Sequence, residues 1–119
     1  MAEHNEIGKA GEELAVKFLQ ANGYQILERN WFFQKAEIDI IALKEKILAA
    51  VEVKTRTSTA FGLPQDFVNP KKIRLLVKAV NEYVVVNNLD VEVRFDIIGI
   101  NKQSDVFVTE HFENAFYHF

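Results

Sequence analysis

Two apolar, β-branched runs meet across a short charged break between Ala36 and Arg56, and carboxylates interrupt both of them. The stretch reads Ala-Glu-Ile-Asp-Ile-Ile-Ala-Leu, then Lys44-Glu45-Lys46, then Ile-Leu-Ala-Ala-Val-Glu-Val-Lys-Thr-Arg. This pattern predicts a β-hairpin, with strands near 36–43 and 47–55. Asp39 sits between Ile38 and Ile40, and Glu52 between Val51 and Val53, with Lys54 two residues on. A carboxylate inside an otherwise buried strand is costly unless it is paired or binds metal.

Side chains alternate along a strand. Glu37, Asp39, Ile41 and Leu43 are therefore expected on one face of the first strand, and Leu48, Ala50, Glu52 and Lys54 on one face of the second. With Glu45-Lys46 as the turn, Asp39 comes opposite Glu52 and Ile41 opposite Ala50. Opposed Cβ atoms lie about 4.5–5.5 Å apart, and two carboxylates that close repel unless a cation lies between them. Lys54, about 6.6 Å from Glu52 by strand rise, contributes but does not neutralise both. Oxygen ligands from one or two carboxylates, with other positions left to water and phosphate, describe a magnesium site. Such an ion polarises a phosphoryl oxygen and lowers the pKa of bound water. The Lys54 ammonium would position the attacking water or stabilise charge developing on the phosphate. The constellation suggests metal-dependent phosphodiester hydrolysis, and the plainer alternative is an ordinary hairpin with a surface Glu-Lys pair.

Around the hairpin the pattern predicts a helix over 5–22, with Asn5 as N-cap and Gly23 as its stop. Ile7, Gly11, Leu14 and Phe18 share one face at helical spacing. Glu13 points away beside Lys9 and Lys17, whereas Glu12 falls on a flank with Gly8, Ala15 and Leu19. Glu12 is thus expected half-buried and Glu13 solvated. A strand over 24–30 and an aromatic junction at Trp31-Phe32-Phe33 precede the hairpin. Thr55 to Gln65 reads as a loop. Asn69-Pro70 opens a second helix as cap and first helical residue, with Ile73, Leu76, Val77, Val80 and Val84 as its apolar stripe, and Asn87-Asn88 ends it. Strands over 91–100 and 105–110 and an aromatic tail complete an α-β-β-β-α-β-β order. A mixed sheet with helices before and after the hairpin is an α/β or α+β layer fold.

The chain has 119 residues, a length that fits one domain, 1–119, with a single core. Apolar content of 49 % and charged content of 26 % suit a soluble globular protein. No apolar run approaches the roughly 20 residues of a membrane span, and the polar start Met-Ala-Glu-His-Asn-Glu is no signal peptide. The absence of cysteine excludes disulfides and cysteine zinc sites and fits a cytoplasmic location. A net charge of −3 argues against a strongly basic nucleic-acid binder but leaves room for a local basic patch.

Several separated motifs, in order, resemble the YraN-like proteins, small bacterial proteins with an endonuclease-like fold, and more distantly the archaeal Holliday-junction resolvases and the PD-D/ExK nucleases. The matching pieces are Gly8-x-x-Gly11-Glu12, Gly23-Tyr24, Glu28-Arg29-Asn30-Trp31, Glu37-Ile38-Asp39-Ile40-Ile41-Ala42, Val51-Glu52-Val53-Lys54-Thr55-Arg56, Phe61-Gly62-x-Pro64, Lys72 and Arg94-Phe95-Asp96. The resemblance implies a restriction-endonuclease-like α-β-β-β-α-β core with a mixed central sheet flanked by helices. It implies Asp39 and Glu52 as ligands of Mg2+ or Mn2+, Lys54 as the catalytic lysine, and Glu12 as an auxiliary acid. Where relatives usually carry Gly before Glu-Ile-Asp, this chain has Lys35-Ala36, which bears on backbone approach at the strand start. Proline is absent before Asp39, as in YraN-like relatives.

The second helix carries Lys71, Lys72, Arg74 and Lys78, with no acidic residue between Asn69 and Val80. Lys71, Arg74 and Lys78 lie within one arc, and Lys72 points to the other flank. Arg56, Thr55, Thr57 and Ser58 follow the acidic strand directly. Such groups contact phosphates without reading sequence, so structure-selective or nonspecific DNA binding is expected, and a solvated helix face is the bland alternative. His4, His111 and His118 show no metal spacing and are expected at the surface. Trp31, Phe32 and Phe33 are expected in the core or a subunit contact, with stacking on nucleic-acid bases as the alternative. Arg94 and Asp96 share a strand face and are expected to pair. Phe112, Phe116, Tyr117 and Phe119 form an aromatic end that packs back or covers a homodimer contact. The leading expectation is a metal-dependent DNA endonuclease, set against a non-catalytic nucleic-acid-binding module of the same fold and an assembly factor using the aromatic end.

Overall fold

The computed structural model describes residues 2–56 and 69–115, and within them the side chains of all but 2–7 and 103. The elements are α1 (Ala2–Ala21), β1 (Gln25–Phe33), β2 (Ala36–Lys44), β3 (Ile47–Arg56), α2 (Pro70–Val86), β4 (Glu92–Gln103) and β5 (Val106–Phe112). The expected order holds, with α1 starting ahead of Asn5 and β1 running on through the aromatic junction. The Phe61-Gly62-x-Pro64 motif, Thr57, Ser58, His118 and the tail from Phe116 lie outside the described residues, as does the side chain of His4.

The five strands form one sheet in the order β1-β2-β3-β4-β5. The β3–β4 pair is parallel, because α2 carries the chain across the sheet, and the other pairs are antiparallel. This is a mixed α/β fold with helices on both faces. On one face α2 buries Leu76, Ala79, Val80 and Tyr83 against Ile41, Leu48, Ala50, Phe95 and Ile97. On the other, α1 buries Ala15, Val16 and Leu19 against Ile40, Ala42, Ala49, Val51, Ile98 and Ile100. Trp31 meets Tyr83 edge-on at 5.1 Å on the α2 side, while Phe32 is 66 % exposed. No described helix is long and apolar enough to cross a membrane.

The buried face of α1 is centred on Gly11, Ala15 and Leu19, and the expected stripe of Leu14 and Phe18 is only partly buried. The reason is close approach. A Cβ on Gly11 would overlap Thr55 Oγ1 and stand 3.2 Å from Thr55 Cβ, whereas one on Gly8 meets nothing within 4 Å. Helix propensity alone favours alanine over glycine by about 1 kcal/mol at either position. Gly8→Ala should therefore stabilise by up to about that amount in urea unfolding. Gly11→Ala should instead destabilise by roughly 1–3 kcal/mol, the usual cost of overpacking. Equal effects at the two positions would show that α1 does not lean on the end of β3.

A polar cluster lies inside the α1 side of the sheet. Asp96 is fully buried. Its Oδ1 accepts from Arg94 Nε at 2.9 Å and from the Asn114 amide at 3.0 Å. Its Oδ2 accepts from Arg94 Nη2 at 2.8 Å and from His111 Nε2 at 2.8 Å. Arg94 also reaches the Tyr24 hydroxyl and, at 3.0 Å, Glu113 Oε2. The expected Arg94–Asp96 pair is present. The expected surface placement of His111 is corrected: its side chain is 11 % exposed, because a buried carboxylate recruits it from β5.

Candidate active site

The β2–β3 hairpin turns at Glu45-Lys46, with Glu45 in the left-handed region at φ 55°. Ile41 pairs with Ala50 and Ile40 with Val51, the register expected from that turn. The ladder ends there. Upstream of Ile40, β2 pairs with β1 alone, and downstream of Val51, β3 pairs with β4 alone. Asp39 and Glu52 are the first residues past the point where the strands diverge.

The side-chain alternation of β2 also breaks at Asp39. Ala36 and Ile38 join the core under α2 together with Ile41, while Ile40 and Ala42 join the core under α1. Strict alternation would put Ile38 and Ile40 on one face. The expected grouping of Glu37, Asp39, Ile41 and Leu43 on one face is therefore corrected. On the neighbouring strand, Asn30 sits between the Arg29–Ile40 and Trp31–Ile38 pairs with φ 53°, so both strands change face at the same level. The Asp39 carboxylate consequently turns to β3, where its Oδ2 accepts the Val53 N–H at 2.8 Å. That bond takes over where the main-chain ladder stops.

Glu52 lies on the α2 side, as β3 alternation requires, and is 5 % exposed. Its Oε1 is 2.8 Å from Lys72 Nζ, whereas its Oε2 is buried without a hydrogen-bond partner among the described residues. Glu12 comes from α1, which Gly11 holds against the end of β3. It is half-buried, and its Oε1 is likewise buried and unpartnered. Glu13 points outward and pairs with Arg29 at 2.8 Å. The predicted distinction between the two glutamates is thus present. Of three buried side-chain oxygens or nitrogens lacking a partner among the described residues, two belong to this acidic group. A buried polar atom without a partner is uncommon in a folded protein and calls for a physical account.

Burial is the main reason that Asp39 is pushed up to about 7, from an ordinary 3.8, and the negative charges of Glu52, Glu12 and Glu37 add to it. The Val53 N–H pulls the other way without winning. The carboxylates that raise the Asp39 pKa come from α1, β2 and β3. Among the described residues no group of three or more carboxylates or histidines is placed to hold a metal ion. A magnesium ion needs less, since it commonly takes one or two carboxylates and leaves the rest to water and phosphate. Asp39 and Glu52 each keep one oxygen outside the bonds described above, and carboxylate oxygens are the hard donors such an ion prefers. The residues fit it.

Lys54 follows Glu52 on β3 and is half-buried. Lys71, Arg74 and Lys78 are exposed on the outer side of α2. Arg74 and Lys78, with Asn81, border a cleft of about 290 Å³ whose apolar wall includes Val77, Val93 and Phe95. Arg56 closes β3 as an exposed residue. Lys72 stands apart from this basic set, with its ammonium at Glu52. Sequence reasoning missed that contact, although the helical wheel already separated Lys72 from its neighbours.

A family model described as "Uncharacterised protein family UPF0102" matches residues 11–100. A UPF0102 protein of Flavobacterium psychrophilum is 69 % identical over 119 residues, covering all of both chains. One from Flavobacterium johnsoniae is 58 % identical over 123 residues, again covering both completely. One from Bacteroides thetaiotaomicron is 47 % identical over 117 residues, covering 98 % of this chain and 97 % of its own. Among solved structures, Pyrococcus furiosus SfsA in complex with Ca2+ superposes with a TM-score of 0.34 at 15 % identity, over 92 % of this chain and 63 % of that one.

Proposed function

The chain belongs to the UPF0102 family, and we propose that it is a divalent-metal-dependent nuclease acting on DNA, with an endonuclease-like core built around the β2–β3 divergence. One observation carries the reading. Glu12, Asp39 and Glu52 arrive from three elements at the point where two strands part, and two of them bring buried oxygens that no described group satisfies. Like charges gathered at a partly buried position reduce stability even with Lys72 at one of them, and natural proteins carry such costs at functional sites.

Asp39 and Glu52 would hold a Mg2+ or Mn2+ ion, which supplies polarisation of the phosphoryl oxygen and a more acidic bound water. Lys54, next to Glu52 on the same strand face, places an ammonium where negative charge grows on the phosphate. Glu12 adds an acceptor that orients water at the edge of the site. The Val53 N–H fixes the Asp39 carboxylate in place, so that group needs little reordering when substrate arrives. Lys71, Arg74, Lys78 and Arg56 bind the flanking phosphates, which sets position and not sequence.

The test is cleavage of branched, single-stranded and duplex DNA with and without Mg2+. Cleavage should require the ion, and Asp39→Ala and Lys54→Ala should each lower its rate by roughly 10²-fold or more. Wild-type rates from either variant would sink the proposal. Salt-dependent DNA affinity that falls on neutralising Lys71, Arg74 and Lys78, without cleavage under any metal, would assign the chain to the non-catalytic binding alternative.

A further inference from the structure

Lysines on helices are favoured in the last turn, where the dipole is negative. Lys72 is instead the third residue of α2, at the positive end, in a first turn with no acidic residue. Its main chain is fixed, because Asn69 Oδ1 accepts its N–H at 2.8 Å. Its side chain departs from Lys71 and Arg74 to reach Glu52. The two ends of this pair differ. The Glu52 side chain is 6 % exposed and anchored in a central strand, and that of Lys72 is 38 % exposed. The ammonium meets only one of the two carboxylate oxygens, and Glu52 Oε2 has no partner among the described residues, which leaves an oxygen free for a cation. The lysine ammonium is a hydrated point charge on a flexible stem, suited to leaving one anion for another.

We infer that Lys72 is a displaceable counter-ion. Its ammonium balances Glu52 until a divalent cation takes that carboxylate, then turns outward to a phosphate of the nucleic acid, so that cation and nucleic acid reinforce each other's binding. The inference rests on the proposed reading of Asp39 and Glu52 as cation ligands. Lys72 is here a positioning residue, and the coupling must be reciprocal.

Ca2+ affinity of the full chain, measured by calorimetry, and affinity for a fluorescent single-stranded oligonucleotide, with Ca2+ or with chelator, test this. Lys72→Met should bind Ca2+ about five- to tenfold tighter than wild type, and the enhancement of oligonucleotide affinity by Ca2+ should shrink by a similar factor. Lys17→Met makes the same charge change at an exposed position of α1 outside the proposed binding set and should stay within about twofold of wild type in both. If Lys72→Met binds Ca2+ no tighter than Lys17→Met, the inference is overturned while the cation site stands. If the wild type binds neither Ca2+ nor Mg2+ at millimolar concentration, the reading of the acidic site falls and takes the inference with it. Should Lys72→Met fail to fold, Lys72→Gln gives the same comparison. Failure of both to fold would make the pair structural and overturn the inference.

Discussion

Asp96→Ala should cost the fold roughly 3–5 kcal/mol, because removing one partner of a buried pair strands the other charge. Arg94 is only 17 % exposed and would keep Glu113 and Tyr24, while His111 and the Asn114 amide would lose their shared acceptor. Those donors tie β5 and the turn after it to β4, so the loss reaches beyond one residue. Against a total stability of about 5–15 kcal/mol for an ordinary domain, this is a large share. The measurement is urea unfolding at pH 7. The pH dependence follows from the carboxylate itself. Burial alone would raise its pKa, but the bonds from His111, Arg94 and Asn114 outweigh burial and hold it below the ordinary 3.8. A folded pKa below the unfolded one gives stability that is full above about pH 4 and lost as pH falls through the folded value. Wild type should therefore show a steep loss below pH 4 that the variant has already undergone. A cost under about 1 kcal/mol would show that the cluster is not a unit.

The hairpin was legible because its turn is short and its strands are apolar. A two-residue turn at Glu45-Lys46 leaves one register, and Ile41 pairs with Ala50 as expected. What lay beyond alternation was the change of face at Asp39. Nothing in Glu-Ile-Asp-Ile-Ile announces that Ile38 and Ile40 pack on opposite sides. The clue lies on β1, in an asparagine able to take a positive φ, at Asn30. Glu12 could be separated from Glu13 because the helical wheel needs only the local sequence. The packing face of α1 could not be centred that way, since Gly11 matters through its contact with Thr55, distant in the chain. His111 and Lys72 were misplaced or incompletely placed for one shared reason. Each is a polar side chain drawn to a buried carboxylate on another element, and such attraction is visible only once Asp96 and Glu52 are known to be buried.

Asp39→Asn should raise stability at pH 8 and leave it nearly unchanged at pH 4. Burial and the charges of Glu52, Glu12 and Glu37 lift the folded pKa of Asp39 to about 7, from 3.8. When the folded state holds a proton more tightly than the unfolded one, stability falls as pH rises between the two values and levels off above the higher. The penalty at pH 8 approaches the shift at about 1.4 kcal/mol per unit, and coupling and partial exposure reduce it to roughly 1–3 kcal/mol. Asparagine removes the charge and keeps an oxygen to accept the Val53 N–H, so the geometry survives. This window, about pH 4 to 7, lies above the acid limb set by Asp96, and thermal melts across pH 3–8 separate the two. Under the proposed reading, a divalent cation narrows this difference. Added Mg2+ should raise the melting temperature of wild type at pH 8, by favouring the ionised carboxylate, and leave that of Asp39→Asn unmoved. Should the variant be less stable than wild type at pH 8 without the ion, the acidic group is not the strained cation site proposed, and Asp39 serves chiefly to cap the end of the β2–β3 ladder.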